Sequence, residues 1–172
     1  VKVGLVGCGF MGSMHCNVYK RVPGAEMVGV VDRKAEKRQK FADQFGVKTY
    51  ETMEELVADQ QVDVIDICLP THEHAAATIR AAELGKHILC EKPMALTLEE
   101  ADQMIAATEK AGVRLMIAHC IRFWPEYALL KEAVDDGRFG KLLSINMTRY
   151  GEFPRWSTDN WLADDTKSGG GV

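Results

Sequence analysis

The sequence predicts an α/β fold with a doubly wound parallel sheet, and three observations carry that reading. Apolar runs of strand length alternate with longer helical patterns through residue 118, the rhythm of βαβ units. The segment Gly7-Cys8-Gly9-Phe10-Met11-Gly12 directly follows the first apolar run and opens a helical pattern. Asp32 closes the second apolar run, about 20 residues beyond Gly12. Together they form the fingerprint of a Rossmann domain.

Taken in order, the strands are expected over 2–6, 27–31, a short piece at 48–50, then 64–67, 87–90 and 115–118. Several are apolar throughout, as burial on both faces of a parallel sheet requires. Helices fill the intervals. Thr52 with Glu55 and Thr97 with Glu100 have capping-box spacing, while Gly46, Gly85 and Gly112 follow helical stretches as C-terminal stops. Beyond 118 the rhythm changes to an aromatic and proline-containing stretch over 123–127, a helix through 136 and an alternating strand over 141–150. The expected organisation is a dinucleotide-binding domain over 1–118 and the beginning of a second α+β sheet domain over 119–172. One strand and one helix cannot bury their own apolar faces, so the second domain is incomplete and the chain reads as a fragment. The glycine-rich tract at 168–171 is a linker or a phosphate-type loop.

Composition narrows the partners. With 47% hydrophobic residues in 172, the chain can bury one full core and the start of another. A net charge of -4 gives no cationic footprint for nucleic acid or an anionic membrane, which leaves small molecules as ligands. No apolar run approaches the ~18 residues of a membrane span, and no signal peptide is visible. The five cysteines lack CxxC spacing and suit a reducing cytosol, so a cytoplasmic location is expected. His15, His72, His74, His87 and His119 show neither zincin spacing nor a thiolate partner in sequence, and no metal is expected.

At the dinucleotide site, Gly7 permits a tight turn, Gly9 lets the backbone approach a pyrophosphate, and Gly12 lets the helix pack closely. Phe10 and Met11 begin the helix whose N-terminal N–H groups and partial positive charge favour an anion. Asp32 accepts from ribose hydroxyls and repels a 2'-phosphate, favouring NAD. Arg33, Lys34, Lys37 and Arg38 follow it and leave NADP open, unless they are a solvated helix face. The segment Leu69-Pro70-Thr71-His72-Glu73-His74 ends the fourth strand at the sheet edge, where such folds bind ligands. Thr71 caps the next helix or faces the cofactor, and His74 is a surface residue or a cofactor neighbour.

Glu91-Lys92-Pro93, immediately after the fifth strand, joins these features with Arg122-Phe123-Trp124-Pro125. The ordered set resembles the Gfo/Idh/MocA family of nicotinamide-dependent oxidoreductases. The resemblance implies that Lys92 is the catalytic lysine, beside the nicotinamide and the substrate oxygen, and that Glu91 lies beside the cofactor. His119 or Cys120 stands where many members have asparagine, and Arg122 touches the nicotinamide amide or pairs with a carboxylate. The family's aspartate, with a histidine four residues later, would follow a glycine-rich segment like 168–171, past Val172. Trp124, Trp156 and Trp161 form a wall for a polyol or sugar ring, Trp161 being the substrate contact, or serve packing alone. The expected activity is hydride transfer between NAD and a hydroxyl or keto carbon of a sugar, inositol or related polyol, with homo-oligomerisation through the second domain. The alternatives are a non-catalytic NAD-binding module and a methyltransferase, the latter opposed by Lys92-Pro93 and the Arg122 stretch.

Overall fold

The computed structural model describes residues 1–148, 150–152, 154 and 156–170. Strands β1 (Lys2–Val6), β2 (Glu26–Val31), β3 (Thr49–Tyr50), β4 (Val64–Ile67), β5 (His87–Cys90) and β6 (Leu115–Ile117) form one sheet in the order β3-β2-β1-β4-β5-β6. Every adjacent pair is parallel. The strand order reverses direction between β1 and β4, which opens a crevice at their C-terminal ends. Helices α1 (Phe10–Tyr19), α2 (Ala35–Phe45), α3 (Met53–Asp59), α4 (His74–Glu83) and α5 (Leu98–Ala111) lie between the strands.

The two-residue period of the strands divides the core between the two faces. Leu5 and Val30 point to the side where Cys16 of α1 and Phe41 of α2 are buried. Their neighbours Val6 and Val31 point to the other side, against Leu56 of α3, Ala81 of α4 and Met104 of α5. Leu5, Ile65 and Phe41 are each almost wholly buried, a contribution of roughly 1.5–3 kcal/mol per side chain.

Local signals in the sequence fix the helix ends. Thr52 Oγ1 accepts from the Glu55 N–H at 3.2 Å, and the Glu55 carboxylate accepts from the Thr52 N–H at 3.4 Å, a reciprocal capping box. Thr97 caps α5 in the same way, but the Glu100 carboxylate reaches one residue further back, to the Leu96 N–H. Gly46, Gly85 and Gly112 have φ of 67°, 69° and 66°, the left-handed conformation that ends a helix.

By internal packing, Val1–Ala118 with Pro154–Val172 form one compact unit and His119–Phe153 another. Within the second unit a 3-10 turn (Cys120–Phe123) leads into α6 (Pro125–Asp135), with Pro125 in the first turn, where its missing N–H costs nothing. The strand expected over 141–150 does not form in its described residues. An alternating segment with no neighbouring strand has nowhere to pair its backbone groups, and Leu143 and Tyr150 stand 86% and 93% exposed. No helix among the described residues is long and apolar enough to cross a membrane.

Thr52→Ala removes the hydroxyl half of the α3 capping box and is expected to cost about 1 kcal/mol. Urea unfolding measures this directly, and an unchanged midpoint would show that the cap contributes nothing.

Candidate functional site

The crevice is a cleft of about 720 Å³, within the usual range for small-ligand sites. Its floor is the turn from β1 into α1. Gly7 has φ of 107°, and a Cβ on it would lie 2.5 Å from the Cys68 carbonyl oxygen. A Cβ on Gly12 would lie 2.1 Å from the Gly7 carbonyl oxygen, so the helix sits against its own loop only because that position is bare. Gly9 differs: nothing lies within 4 Å of where its Cβ would be. Packing leaves Gly9 free, and the space beside it is open to a ligand. Gly9 is also the N-cap of α1 and has no side chain to cap the helix, so the first-turn N–H groups meet the crevice uncapped. The loop thus fits a pyrophosphate.

Asp32 lies on the cleft wall at the end of β2. Its Oδ2 accepts from the Cys8 N–H and its Oδ1 from the Lys34 N–H, both at 2.9 Å. Two backbone donors orient the carboxylate, and each oxygen keeps a second lone pair for a hydroxyl. Most of the cations that follow are engaged. Arg33 Nη2 donates to both carboxylate oxygens of Glu73, at 2.9 and 3.0 Å, and Lys34 pairs with Asp159 at 3.1 Å. Arg38 donates to the carbonyls of Asp32 and Arg33. Lys37, which also lines the cleft, has no ion-pair partner among the described residues.

Of the residues singled out in the sequence, Gly7, Gly9, Phe10, Met11, Asp32 and Arg33 line the cleft from one side. Leu69, Pro70, Thr71, Glu91, Lys92 and Trp161 line it from the other. Trp156 joins them, stacked on Phe10 with centroids 4.9 Å apart. The Lys92-Pro93 peptide is cis. Gly12 is buried behind the loop and acts through packing. His74 is neither a surface residue nor a cleft residue: it is 1% exposed, and its ring nitrogens lie 2.8 Å from the carbonyls of Pro93 and Leu69. It fastens the turn after β4 to the turn after β5. His119, Arg122 and Trp124 belong to the second unit, where all three are exposed.

Sequence reasoning missed a buried polar cluster beneath the cleft. His15 Nδ1 donates to Asp66 Oδ2 at 2.8 Å and Nε2 donates to Glu91 Oε1 at 3.1 Å. Cys68 Sγ lies 3.4 Å from His15 Nδ1, so the fold supplies the thiol neighbour that sequence spacing did not. Two signals pointed to it. Asp66 is a charge inside an apolar strand, which burial forbids without a partner. His15 lies three residues beyond Gly12 and one before buried Cys16, on the inner side of α1. Burial by itself would lower the His15 pKa, but hydrogen bonds to Asp66 and Glu91 outweigh it and raise it to about 10. Burial pushes Glu91 up, but the His15 hydrogen bond and the Lys92 N–H hold it below the usual carboxylate range. Burial raises the thiols of Cys8 to about 12 and Cys16 to about 11, so neither is an activated nucleophile.

Residues 1–119 match the GFO_IDH_MocA model, described as an oxidoreductase family with an NAD-binding Rossmann fold. Myo-inositol 2-dehydrogenase of Thermotoga maritima is 34% identical over 86% of this chain and 45% of its own length. The 1,5-anhydro-D-fructose reductase of Ensifer adhaerens is 33% identical over 88% of this chain and 46% of its own. The WlbA dehydrogenase of Bordetella pertussis, solved with NADH and UDP-GlcNAcA, superposes with a TM-score of 0.77 at 30% identity, covering 81% of this chain and 43% of that one. The chain spans about half the length of the curated relatives it matches.

The glycines separate ligand contact from packing. Gly9→Ala is expected to keep the melting temperature and weaken NADH binding, measured by cofactor fluorescence, whereas Gly12→Ala lowers the melting temperature itself. Unchanged NADH affinity in Gly9→Ala would place the dinucleotide elsewhere.

Proposed function

The chain belongs to the Gfo/Idh/MocA oxidoreductase family, with its NAD-binding Rossmann fold, and we propose that it carries the cofactor half of a dehydrogenase acting on a sugar, inositol or related polyol. The observation that carries this reading is one cleft lined by the bare Gly9 loop, the oriented Asp32 carboxylate and the Lys92 side chain. Relatives named as a dehydrogenase and a reductase favour it over a non-catalytic module.

In this reading the Gly9 backbone and the N–H groups opening α1 hold the pyrophosphate, with Phe10 and Met11 beside it. The remaining lone pairs of Asp32 accept from the adenosine ribose. Arg33, Leu69, Pro70 and Thr71 complete the walls. When bound, the nicotinamide supplies the hydride acceptor or donor. Lys92 supplies the cation: among the described residues no ion pair engages its ammonium, which is free to bind the substrate oxygen. As a hydroxyl is oxidised its proton must leave, and an ammonium beside that oxygen stabilises the developing negative charge. Trp161 offers an apolar face to a polyol ring. His119 and Arg122 are assigned to the nicotinamide side, and residues 119–172 to the start of the substrate and oligomerisation domain of a cytoplasmic homo-oligomer. NAD is preferred to NADP because Asp32 opposes a 2'-phosphate while Arg33, Lys34 and Arg38 are already committed.

Lys92→Ala in the full-length protein is expected to lower turnover of a responsive polyol by about 100- to 10,000-fold while NADH affinity changes by less than about threefold. Turnover equal to wild type would remove Lys92 from the reaction. Asp32→Ser is expected to erode the preference for NADH over NADPH by about tenfold or more, read as the ratio of their dissociation constants. An unmoved ratio would assign cofactor choice to other residues.

A further inference from the structure

Glu91 and Lys92 are adjacent residues of opposite charge at a strand end. A glutamate free to turn would pair with the neighbouring ammonium and occupy the cation that the reaction needs. Both Glu91 oxygens are instead engaged below. Oε1 accepts from His15 Nε2 at 3.1 Å, and Oε2 accepts from the backbone N–H of Lys92 at 3.0 Å. His15 is braced from its other side by Asp66, which is fully buried. An imidazole donates to two carboxylates at once only when both nitrogens carry protons.

We propose that His15 is a positioning residue whose imidazolium, braced on Asp66, draws the Glu91 carboxylate beneath the cleft and leaves the Lys92 ammonium unpaired toward the substrate. This rests on the role given to Lys92 above. The sheet register explains why these residues meet. Asp66 and Cys68 share one face of the sheet, and continuation of the β4–β5 pairing beyond Ile67 and Cys90 sets Glu91 opposite Cys68, on the side covered by α1.

The groups facing His15 are Asp66 and Cys68 from β4 and its extension, Glu91 from the end of β5, and Cys16 and Tyr19 from α1. Burial raises the thiols of Cys16 and Cys68 and the phenol of Tyr19, so these stay neutral and the two carboxylates set the charge of the ring. The His15 pKa is raised in the folded state, from 6.5 to about 10. Its contribution to stability is therefore complete below 6.5 and is lost as pH rises through about 10. Glu91 is depressed, so its contribution is present above 4.5 and is lost as pH falls through its lower folded value.

Nitrogen NMR of 15N-histidine-labelled full-length protein reads the ring without cofactor or turnover. Both His15 nitrogens should be protonated at about pH 8, with titration near 10. A neutral ring at that pH overturns the proposal. So does a stoichiometric metal in the purified protein, because His15, Asp66 and Cys68 present donor atoms within 4.8 Å of one another and a bound ion would take the Nδ1 lone pair. Kinetics then separates positioning from folding. His15→Asn can donate toward Asp66 but falls short of Glu91, and should lower kcat on the order of 100-fold with NADH affinity nearly constant. His15→Gln extends an amide toward Glu91 and should recover about tenfold of that loss. Equal losses in the two variants, or losses that follow their melting temperatures, overturn the positioning role. Wild-type turnover in Lys92→Ala would instead sink the Lys92 reading, whatever the His15 ring shows.

Discussion

The fold depends on a backbone contact: α1 lies so close to the end of β1 that the Gly12 position abuts the Gly7 carbonyl. That proximity lets α1 begin directly at the crevice between β1 and β4, with its first-turn N–H groups turned toward it. A side chain at Gly12 would push the helix outward, and the partial positive charge at its N-terminus would retreat from the space beside Gly9. The neighbouring turns are fastened in turn by Asp32, which holds the Cys8 N–H, and by His74, which ties Leu69 to Pro93. The cleft is therefore rimmed by backbone whose hydrogen bonds are largely settled, the condition for binding a ligand without reorganisation.

The same closeness of α1 creates a demand. Its inner side must cover the sheet, and the sheet there presents Asp66 and Glu91 beside apolar Leu5 and Cys68. Two carboxylates buried side by side are costly without a cation. His15 meets that demand, and because it touches both, the helix that follows the glycine loop is tied to the strand end that carries Lys92. Removal of one member would leave a buried charge without its partner, which is why the cluster functions as a unit rather than as separate hydrogen bonds.

The sheet was legible in the sequence because most strands are largely apolar runs and several helix ends carry their own signal, as Thr52, Thr97 and the αL glycines show. The glycine loop and Asp32 were legible because their spacing reflects local chain geometry. His15 with Asp66 was not, since 51 residues separate the pair and neither sequence position alone specifies a partner. His74 was misjudged because its partners are backbone carbonyls, which leave no mark on side-chain patterning. The alternating run over 141–150 reads as a strand by periodicity, but periodicity specifies only which face is apolar. Strand formation also requires a neighbour, and no described residue provides one.

Electrostatics also sets the state of the buried cluster. Asp66 and Glu91 bring two buried carboxylates together on His15. With His15 protonated the cluster carries a net charge of about -1, and with His15 neutral about -2. The protonated ring thus halves the net negative charge of the cluster, and one of its hydrogen bonds engages Glu91 Oε1. Both hold at neutral pH, because the ring keeps its proton up to about 10. One histidine on the inner side of α1 thereby lets the sheet carry two buried acids below an uncapped helix N-terminus.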